Sequence, residues 1–164
     1  MDLFQAVLVV SVFLSSLVAG FLFSYAIVIM PGIKQLNDRD FIRAFQVTDR
    51  IIQNNQPLFI LVWVGSALAL IASAILGIWR LQGVDLLLLA SAALAYILAV
   101  QLSTIVINLP LNNKLQSIDV DTMSETDLKA ARNEFEPRWN TSNNVRTIVS
   151  CSVSALLIIL LFRL

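Results

Sequence analysis

Four long apolar stretches constrain this chain more than any other feature of its sequence. They cover residues 3–30, 58–79, 86–109 and 145–162. A helix needs about 20 apolar residues to cross a hydrocarbon core about 30 Å thick, and each stretch is close to or above that length. Hydrophobic residues make up 58% of the 164 positions and charged residues 13%, whereas soluble domains have about 45–50% and 25%. The sequence therefore predicts an all-α integral membrane protein, a four-helix up-down bundle in a single domain over residues 1–164.

Small residues recur at every fourth position along the predicted spans. This spacing places them on one face of a helix. In lipid the hydrophobic effect does not pull helices together, so close backbone approach at small residues must do so. We expect these faces to pack the bundle, and some of them to mediate contact with a second copy of the chain. The series are Ser16, Gly20 and Ser24; Gly65, Ala69, Ser73 and Gly77; Ser91, Ala95, Ala99 and Ser103; and Ser150 and Ser154.

The distribution of basic residues predicts an orientation in the membrane. Nine of the 11 Lys and Arg residues lie in the two long connections, at about residues 31–57 and 110–144, or just beyond them at Arg146. By the positive-inside rule, the long connections are cytoplasmic and both termini are outside. Residues 3–30 lack the basic n-region of a cleavable signal peptide. We therefore expect a multi-pass protein of a bacterial inner membrane, with the lipid bilayer as its surroundings.

Charge and residue usage exclude several classes of function. The 11 acidic residues balance the 11 basic ones, so there is no basic field to attract nucleic acid. The chain has no histidine and a single cysteine, Cys151, which excludes intramolecular disulfides and Cys/His zinc sites. We expect neither a metal nor a cofactor. Any chemistry must then come from carboxylates, amides, arginine and aromatic side chains.

The first connection has the pattern of an amphipathic helix over residues 34–56, with Asn37 or Asp38 as its N-cap. Two placements are open. The helix could lie on the membrane surface with its polar face in water, or it could extend the second span and turn its polar face toward a cavity. The polar positions at helical spacing are Gln46, Asp49, Arg50, Gln53 and Asn54.

Two asparagine-rich clusters bracket the third connection. Asn108 and Asn112 flank Pro110, while Trp139, Asn143 and Arg146 lead into the fourth span. One interpretation makes Trp139 and Arg146 interfacial anchors and Asn143 a helix N-cap. The other brings the clusters together at one membrane face as a site for a flat, weakly polar ligand.

Between these clusters the sequence predicts a short soluble helix. A capping box at Ser124 and Asp127 would start it, and it would run to about Phe135, where Pro137 would end it. The first and third connections are thus expected to be polar and partly helical.

At these positions the chain resembles the anthrone oxygenase-like family of small four-span membrane proteins. The resemblance covers nearly the whole chain. It departs from the family at Ser142, because many members carry an aromatic residue just before the asparagine of the last motif. The matching elements are Pro31-Gly32, Phe45-Gln46 with Asn54, Asn108-x-Pro110-x-Asn112 and Asn143-x-x-Arg146.

The resemblance implies oxidation of anthrones to anthraquinones without a metal or flavin. It also implies a polar site formed by Gln46, Asn108, Asn112, Asn143 and Arg146. An anthrone has an acidified CH₂, so the protein needs only a base and donors for the developing oxyanion.

Asp49 is the candidate base, because it is the carboxylate on the polar face of the first connection. Glu134 and Glu136 are weaker candidates. The predicted catalytic residues are therefore Asp49 and Arg146, with Gln46, Asn54, Asn108, Asn112, Trp139 and Asn143 binding a hydrophobic aromatic or quinone-like ligand.

Other classes of function remain open from the sequence. The chain could bind a lipid, quinone or pigment without catalysis, or dock on a larger membrane complex. A transporter or channel is less compatible with spans that carry no acidic residue. A salt bridge from Asp49 to Arg146 or Arg50 would instead make the pair a structural link between the first connection and the fourth span.

Overall fold

The computed structural model describes residues 2–164, which fold into five helices. Four of them are long and apolar enough to cross a membrane, which confirms the predicted helical membrane bundle. The remaining helix, α2, is short and amphipathic. In chain order the helices are α1 (Leu3–Ile33), α2 (Asp38–Gln53), α3 (Pro57–Gly77), α4 (Gly83–Gln116) and α5 (Glu125–Arg163).

Local sequence signals start several of these helices. Asn37 is the N-cap of α2, since its side-chain oxygen accepts a hydrogen bond from the Asp40 amide at 2.8 Å. Ser124 caps α5 in the same way through the Asp127 amide at 3.2 Å. Both caps confirm the prediction, because an N-cap side chain pairs with one of the amides that a helix start leaves without a partner.

Proline does not end the long helices where the sequence predicted breaks. α1 continues past Pro31, and α4 continues past Pro110. Each of these prolines follows a π-helical turn, at Tyr25–Ile29 and Thr104–Asn108. Proline costs a helix one backbone hydrogen bond and crowds the preceding turn. A π-helical turn is wider than an α-helical one, so it provides room for the ring within a continuous helix.

The third connection also differs from the prediction. α5 runs through Pro137 without interruption, so the predicted soluble helix and the fourth span are one element. α4 reaches Gln116, which leaves only residues 117–124 between the two helices. Hydropathy reports where a chain is apolar, and it does not report where a helix ends. The spans predicted at 86–109 and 145–162 are therefore the apolar parts of longer helices.

The helices pack in two layers. An apolar core joins α1, α3, α4 and α5 around side chains such as Leu22, Leu70 and Tyr96. In the second layer, an aromatic core packs α2 against the polar ends of α1, α4 and α5. We call this layer the polar layer, because it contains the polar segments of the chain. Inside the apolar layer, Ser66 and Tyr96 share a hydrogen bond of 2.8 Å between α3 and α4. α2 therefore closes the polar end of the bundle with its own buried residues, and a turn at residues 54–56 separates it from α3.

The predicted series of small residues are only partly buried. Ser73, Gly77, Ser150 and Ser154 face the core, whereas Gly20 and Ser91 are exposed on the outside of the bundle. α1 contains a second series at the same spacing, and this one faces inward. Spacing of four fixes a common face but does not decide which of two faces is buried. The inward series is Ser11, Ser15 and Ala19.

Gly77 tests the close approach of α3 to α4. A Cβ added at Gly77 would lie 2.6 Å from Cδ2 of the fully buried Leu89. Overpacking of this kind costs about 1–3 kcal/mol, so we expect Gly77→Ala to lower the melting temperature in detergent. Gly20→Ala is the matched control, because nothing lies within 4 Å of its added Cβ and Ala favours a helix interior by about 1 kcal/mol. Equal melting temperatures for the two variants would contradict this packing.

Candidate functional site

Asp49 lies in the polar layer as a buried carboxylate, with 2% of its surface exposed. Both of its oxygens accept hydrogen bonds from uncharged amides. None of the ion pairs among residues 2–164 includes it, so the alternative of a structural salt bridge to Arg146 or Arg50 does not hold. The three donors are Asn112 Nδ2 to Oδ1 at 2.8 Å, and Gln53 Nε2 and Gln116 Nε2 to Oδ2 at 2.6 and 3.2 Å.

This environment changes the acidity of Asp49. Burial raises the pKa of the carboxyl above its ordinary value, and the hydrogen bonds from Gln116, Gln53 and Asn112 offset that rise only in part. Desolvation disfavours the charged form, and neutral amides compensate less than a cation would. A carboxylate has about four acceptor positions, and these three bonds leave one on Oδ1. Asp49 therefore combines a free acceptor position with a raised pKa, two properties of a general base.

Gln46 has a structural role beside Asp49. Its Nε2 donates to the backbone carbonyls of Leu115 at 2.8 Å and Ile118 at 2.9 Å. Gln116 Nε2 in turn donates to the Gln46 carbonyl at 2.8 Å. These bonds pair carbonyl groups at the end of α4 that have no partner within the helix. Gln46 thus positions α2 and Asp49, and its amide nitrogen is fully engaged.

Asn112 and Trp139 connect the base to α5. Trp139 donates its indole N–H to Asn112 Oδ1 at 2.8 Å, while Asn112 donates to Asp49. The indole is 5% exposed and packs against Tyr25 and Phe45, with ring centroids 5.5 Å away in each case. Trp139 is therefore part of the core and not an interfacial anchor.

Arg146 is the second buried charge, with 4% of its surface exposed. Its Nη1 donates to Thr104 Oγ1 at 2.9 Å and its Nη2 to Asn143 Oδ1 at 3.1 Å, and the guanidinium carbon lies 5.8 Å from the Trp139 ring centroid. Asn143 lies within α5 and donates to the Leu22 carbonyl at 3.2 Å, so it is not an N-cap. Arg146 likewise lacks a carboxylate partner among residues 2–164.

Two buried donors in this region have no partner within the protein. They are Asn108 Nδ2 and Arg146 Nε. Ser142 Oγ donates to Asn108 Oδ1 at 2.6 Å, which leaves the amide nitrogen of Asn108 free to bind something else. A buried donor without an acceptor costs about 1–3 kcal/mol. Each of these donors would therefore be stabilised by an acceptor oxygen, whether of a ligand or of a water.

The free donors follow the Asp49 partner Asn112 along the contact of α4 with α5: Asn108 is one helical turn from Asn112, and Arg146 binds Thr104 one turn further. On α4, Thr104, Asn108 and Asn112 follow at intervals of four, which places them on one face. On the facing helix α5, Ser142 and Arg146 have the same spacing. The α4–α5 contacts thus form three successive levels: Asn112 with Trp139 in the base region beside Asp49, then, in the donor region, Asn108 with Ser142 and last Thr104 with Arg146.

A groove opens beside the donor region on the outside of the α4–α5 contact. Its volume is about 510 Å³, within the range of small-molecule sites. Ser142 lines this groove and also binds Asn108. The other lining residues are Ser103 and Ile107 on α4, and Pro137, Arg138, Thr141 and Val145 on α5.

Several sequence-predicted residues fall outside this cluster. Asn54 is exposed at the C-cap of α2, because the helix ends before that position can turn inward. Glu134 binds Lys114 at 2.6 Å and Glu136 binds Arg132 at 2.9 Å, so both carboxylates are already paired with cations. Gln53 was predicted only as one of the polar positions of the first connection, and the structure places it on Asp49. Three further contributors were missed, and only their helical spacing from predicted residues could have indicated them. They are Thr104, Gln116 and Ser142.

Fold and site together define a small multi-pass membrane protein with a polar cluster at one end of its helical bundle. A family model described as anthrone oxygenase matches residues 45–156. The match covers more than half of the chain, and it includes every residue of the polar cluster from Asp49 to Arg146. The chain therefore belongs to the anthrone oxygenase family. No curated protein and no solved structure matches it.

The raised pKa of Asp49 predicts a pH-dependent effect of Asp49→Asn on stability. Wild type and variant should differ least at low pH, where Asp49 is protonated in both the folded and the unfolded state. As pH rises above the unfolded-state pKa, wild type should lose stability relative to the variant, and the loss should level off above the raised folded-state pKa. Thermal unfolding in detergent between about pH 3 and 8 measures this difference. A difference that stays constant with pH would contradict the raised pKa.

Proposed function

We propose that this protein oxidises a hydrophobic aromatic compound of the anthrone class with dioxygen and without a cofactor. The observation that carries the proposal is the buried Asp49 carboxylate, which is hydrogen-bonded by neutral amides, among them that of Asn112, one helical turn along α4 from the unpartnered donor of Asn108. Family membership supports the same substrate class.

The proposed reaction begins with proton transfer. The CH₂ of an anthrone is acidified by its ketone, so Asp49 can remove a proton and leave an enolate. A desolvated carboxylate with a raised pKa is a stronger base than one in water, because its ionised form is less stabilised. Arg146 Nε and Asn108 Nδ2 can donate to the enolate oxygen, where the negative charge develops.

Dioxygen then completes the oxidation. The electron-rich enolate transfers electrons to dioxygen and forms a carbon–oxygen bond at the deprotonated carbon. The resulting peroxide anion takes up a proton to become a hydroperoxide, which loses its terminal hydroxyl and the remaining hydrogen of that carbon as water to give the quinone. In sum, one anthrone and one dioxygen give one anthraquinone and one water. The protein contributes the base and the donors, and the oxidant is dioxygen itself.

Asp49→Asn tests the base. In lipid nanodiscs with anthrone as substrate, we expect the variant to consume dioxygen at least about 100-fold more slowly, the usual contribution of a positioned base. Glu134→Gln is the matched control, since Glu134 is exposed and paired with Lys114. The wild-type rate should rise with pH through the raised pKa of Asp49, because only the ionised form accepts a proton.

Three results would count against this function. If Asp49→Asn oxidised anthrone at the wild-type rate, Asp49 would be excluded as the general base. Binding of the aromatic compound without any dioxygen uptake would instead favour a non-catalytic binding protein. Loss of activity after treatment with a chelator, and its return with added metal, would contradict a cofactor-independent reaction.

Arg146→Lys tests the donor region. Lysine keeps the positive charge, but a single ammonium cannot reproduce the planar fork that binds Thr104 and Asn143 and leaves Nε free. We expect kcat to fall about 100-fold, as for other lost oxyanion donors. Arg50→Lys, at an exposed position of α2, is the control for the same change. Equal kcat values for Arg146→Lys and wild type would show that this donor does not act in the transition state.

A further inference from the structure

The groove between α4 and α5 begins at the level where the apolar part of the bundle meets its polar layer. The hydrogen bond from Trp139 to Asn112 sets this level, because the apolar stretch of α4 ends at Leu109, one turn before Asn112. Arg138 is the neighbour of Trp139 and lines the groove. Val145 lines it two turns further into the apolar part and is 50% exposed. The groove therefore runs from the edge of the hydrocarbon region into it.

The groove is amphipathic along its length. Its deeper part has the exposed apolar side chains of Ile107 on α4 and Val145 on α5. Its outer part has Pro137 and the exposed Arg138, the one charged residue among those that line the groove. A ligand here would contact apolar walls in the deeper part and a cation at the outer end.

The hydroxyl groups of the groove are not available to such a ligand as donors, because each already donates within the protein. Arg138, by contrast, forms no ion pair among residues 2–164. Glu134, one turn before Arg138, accepts from Lys114 with both oxygens, at 2.6 and 2.7 Å. The free group is therefore a cation. The hydroxyl bonds are Ser103 Oγ to the Ala99 carbonyl at 2.6 Å, Thr141 Oγ1 to the Pro137 carbonyl at 2.9 Å, and Ser142 Oγ to Asn108 Oδ1 at 2.6 Å.

The two ends of the bundle differ in how their exposed cations are paired. At the end opposite the polar layer, Arg80 binds Asp2 at 3.4 Å and Arg163 binds Asp85 at 2.6 Å. The exposed cations that form no ion pair among residues 2–164 all lie at the polar end, and Arg138 is the one of them that lines the groove. They are Lys34, Arg50, Lys129 and Arg138.

We propose that the α4–α5 groove binds one anionic phospholipid of the bilayer, with the phosphate on Arg138 and an acyl chain along Ile107 and Val145. A guanidinium binds a phosphate through two parallel hydrogen bonds, and the acyl chain covers apolar walls that no other part of the chain covers. A phospholipid has its phosphate at the edge of the hydrocarbon region, which is the level of Arg138. This binding site uses neither Asp49 nor the oxidation, so it goes beyond the proposed function.

Native mass spectrometry of the full chain in mild detergent tests the phosphate contact. The protein is equilibrated with equal amounts of phosphatidylglycerol and phosphatidylcholine, and the retention of each lipid is measured. We expect wild type to retain one phosphatidylglycerol in preference, and Arg138→Gln to lower the ratio of the two lipids about fivefold, the usual effect of one basic residue at an anionic membrane surface. Arg50→Gln is the matched control, since Arg50 is exposed, unpaired among residues 2–164 and outside the groove.

A second pair of variants tests the acyl-chain contact. Val145→Phe narrows the deeper part of the groove, and Ile148→Phe makes the same kind of change at a position that is 67% exposed and does not line the groove. We expect only Val145→Phe to lower the retention of phosphatidylglycerol. The melting temperature provides a separate readout, because a ligand of the folded state stabilises it. Added phosphatidylglycerol should raise the melting temperature of wild type more than that of Arg138→Gln.

Three results would overturn this binding site. The first is an unchanged lipid ratio in Arg138→Gln, or an equal fall in Arg50→Gln, because the charge would then act without the groove. The second is equal retention of the two lipids by wild type, which would make the groove an unselective lipid contact. The third is a dimer that forms without bound lipid and dissociates in Val145→Phe, which would assign the groove to a second copy of the chain. None of these results depends on whether the protein oxidises anthrone.

Discussion

Backbone carbonyl groups at the ends of the membrane helices need partners, and the polar layer is arranged around this need. The Arg132 guanidinium donates to the carbonyls of Lys34 and Leu36 just after α1. Gln46 does the same for Leu115 and Ile118 at the end of α4. Near a bilayer such groups have little water to bind, so an unpaired carbonyl is costly. Pairing them from neighbouring helices fixes α2 on the bundle, and the position of Asp49 follows from it.

The site stands out because two opposite charges are buried near each other without forming an ion pair. Asp49 is surrounded by amides, and Arg146 by a hydroxyl, an amide and an indole ring. A direct salt bridge would stabilise both charges, but it would also lower the pKa of the carboxyl and so make the carboxylate a weaker base. Groups that are costly to bury and incompletely satisfied are typical of functional sites, since stability there is exchanged for reactivity. Trp139 contacts the surroundings of both charges, since its indole N–H donates to Asn112, a partner of Asp49, and its ring lies 5.8 Å from the Arg146 guanidinium carbon.

The continuity of the long helices gives the site its geometry. Because α4 runs through Pro110 and α5 through Pro137, their facing residues keep regular helical spacing from the apolar layer into the polar one. The contacts of Thr104 with Arg146 and of Asn108 with Ser142 are therefore consecutive levels of one interface. A break at either proline would have separated the base region from the donor region. A π-helical turn precedes Pro110 within the continuous helix, and its last residue, Asn108, is buried.

The sequence by itself determined the four spans, the amphipathic α2 with its Asn37 cap, and the two clusters that contain Asn108, Asn112, Asn143 and Arg146. These properties are local, because hydropathy, capping and helical spacing depend only on neighbouring residues. The tertiary structure decided which side chains meet. Asp49 has amide partners and no arginine partner, Asn54 is exposed outside the cluster, and Ser142 binds Asn108 within it. Such contacts join residues far apart in the chain, and their choice depends on how whole helices rotate and pack. Local sequence patterns do not predict how the helices rotate relative to one another.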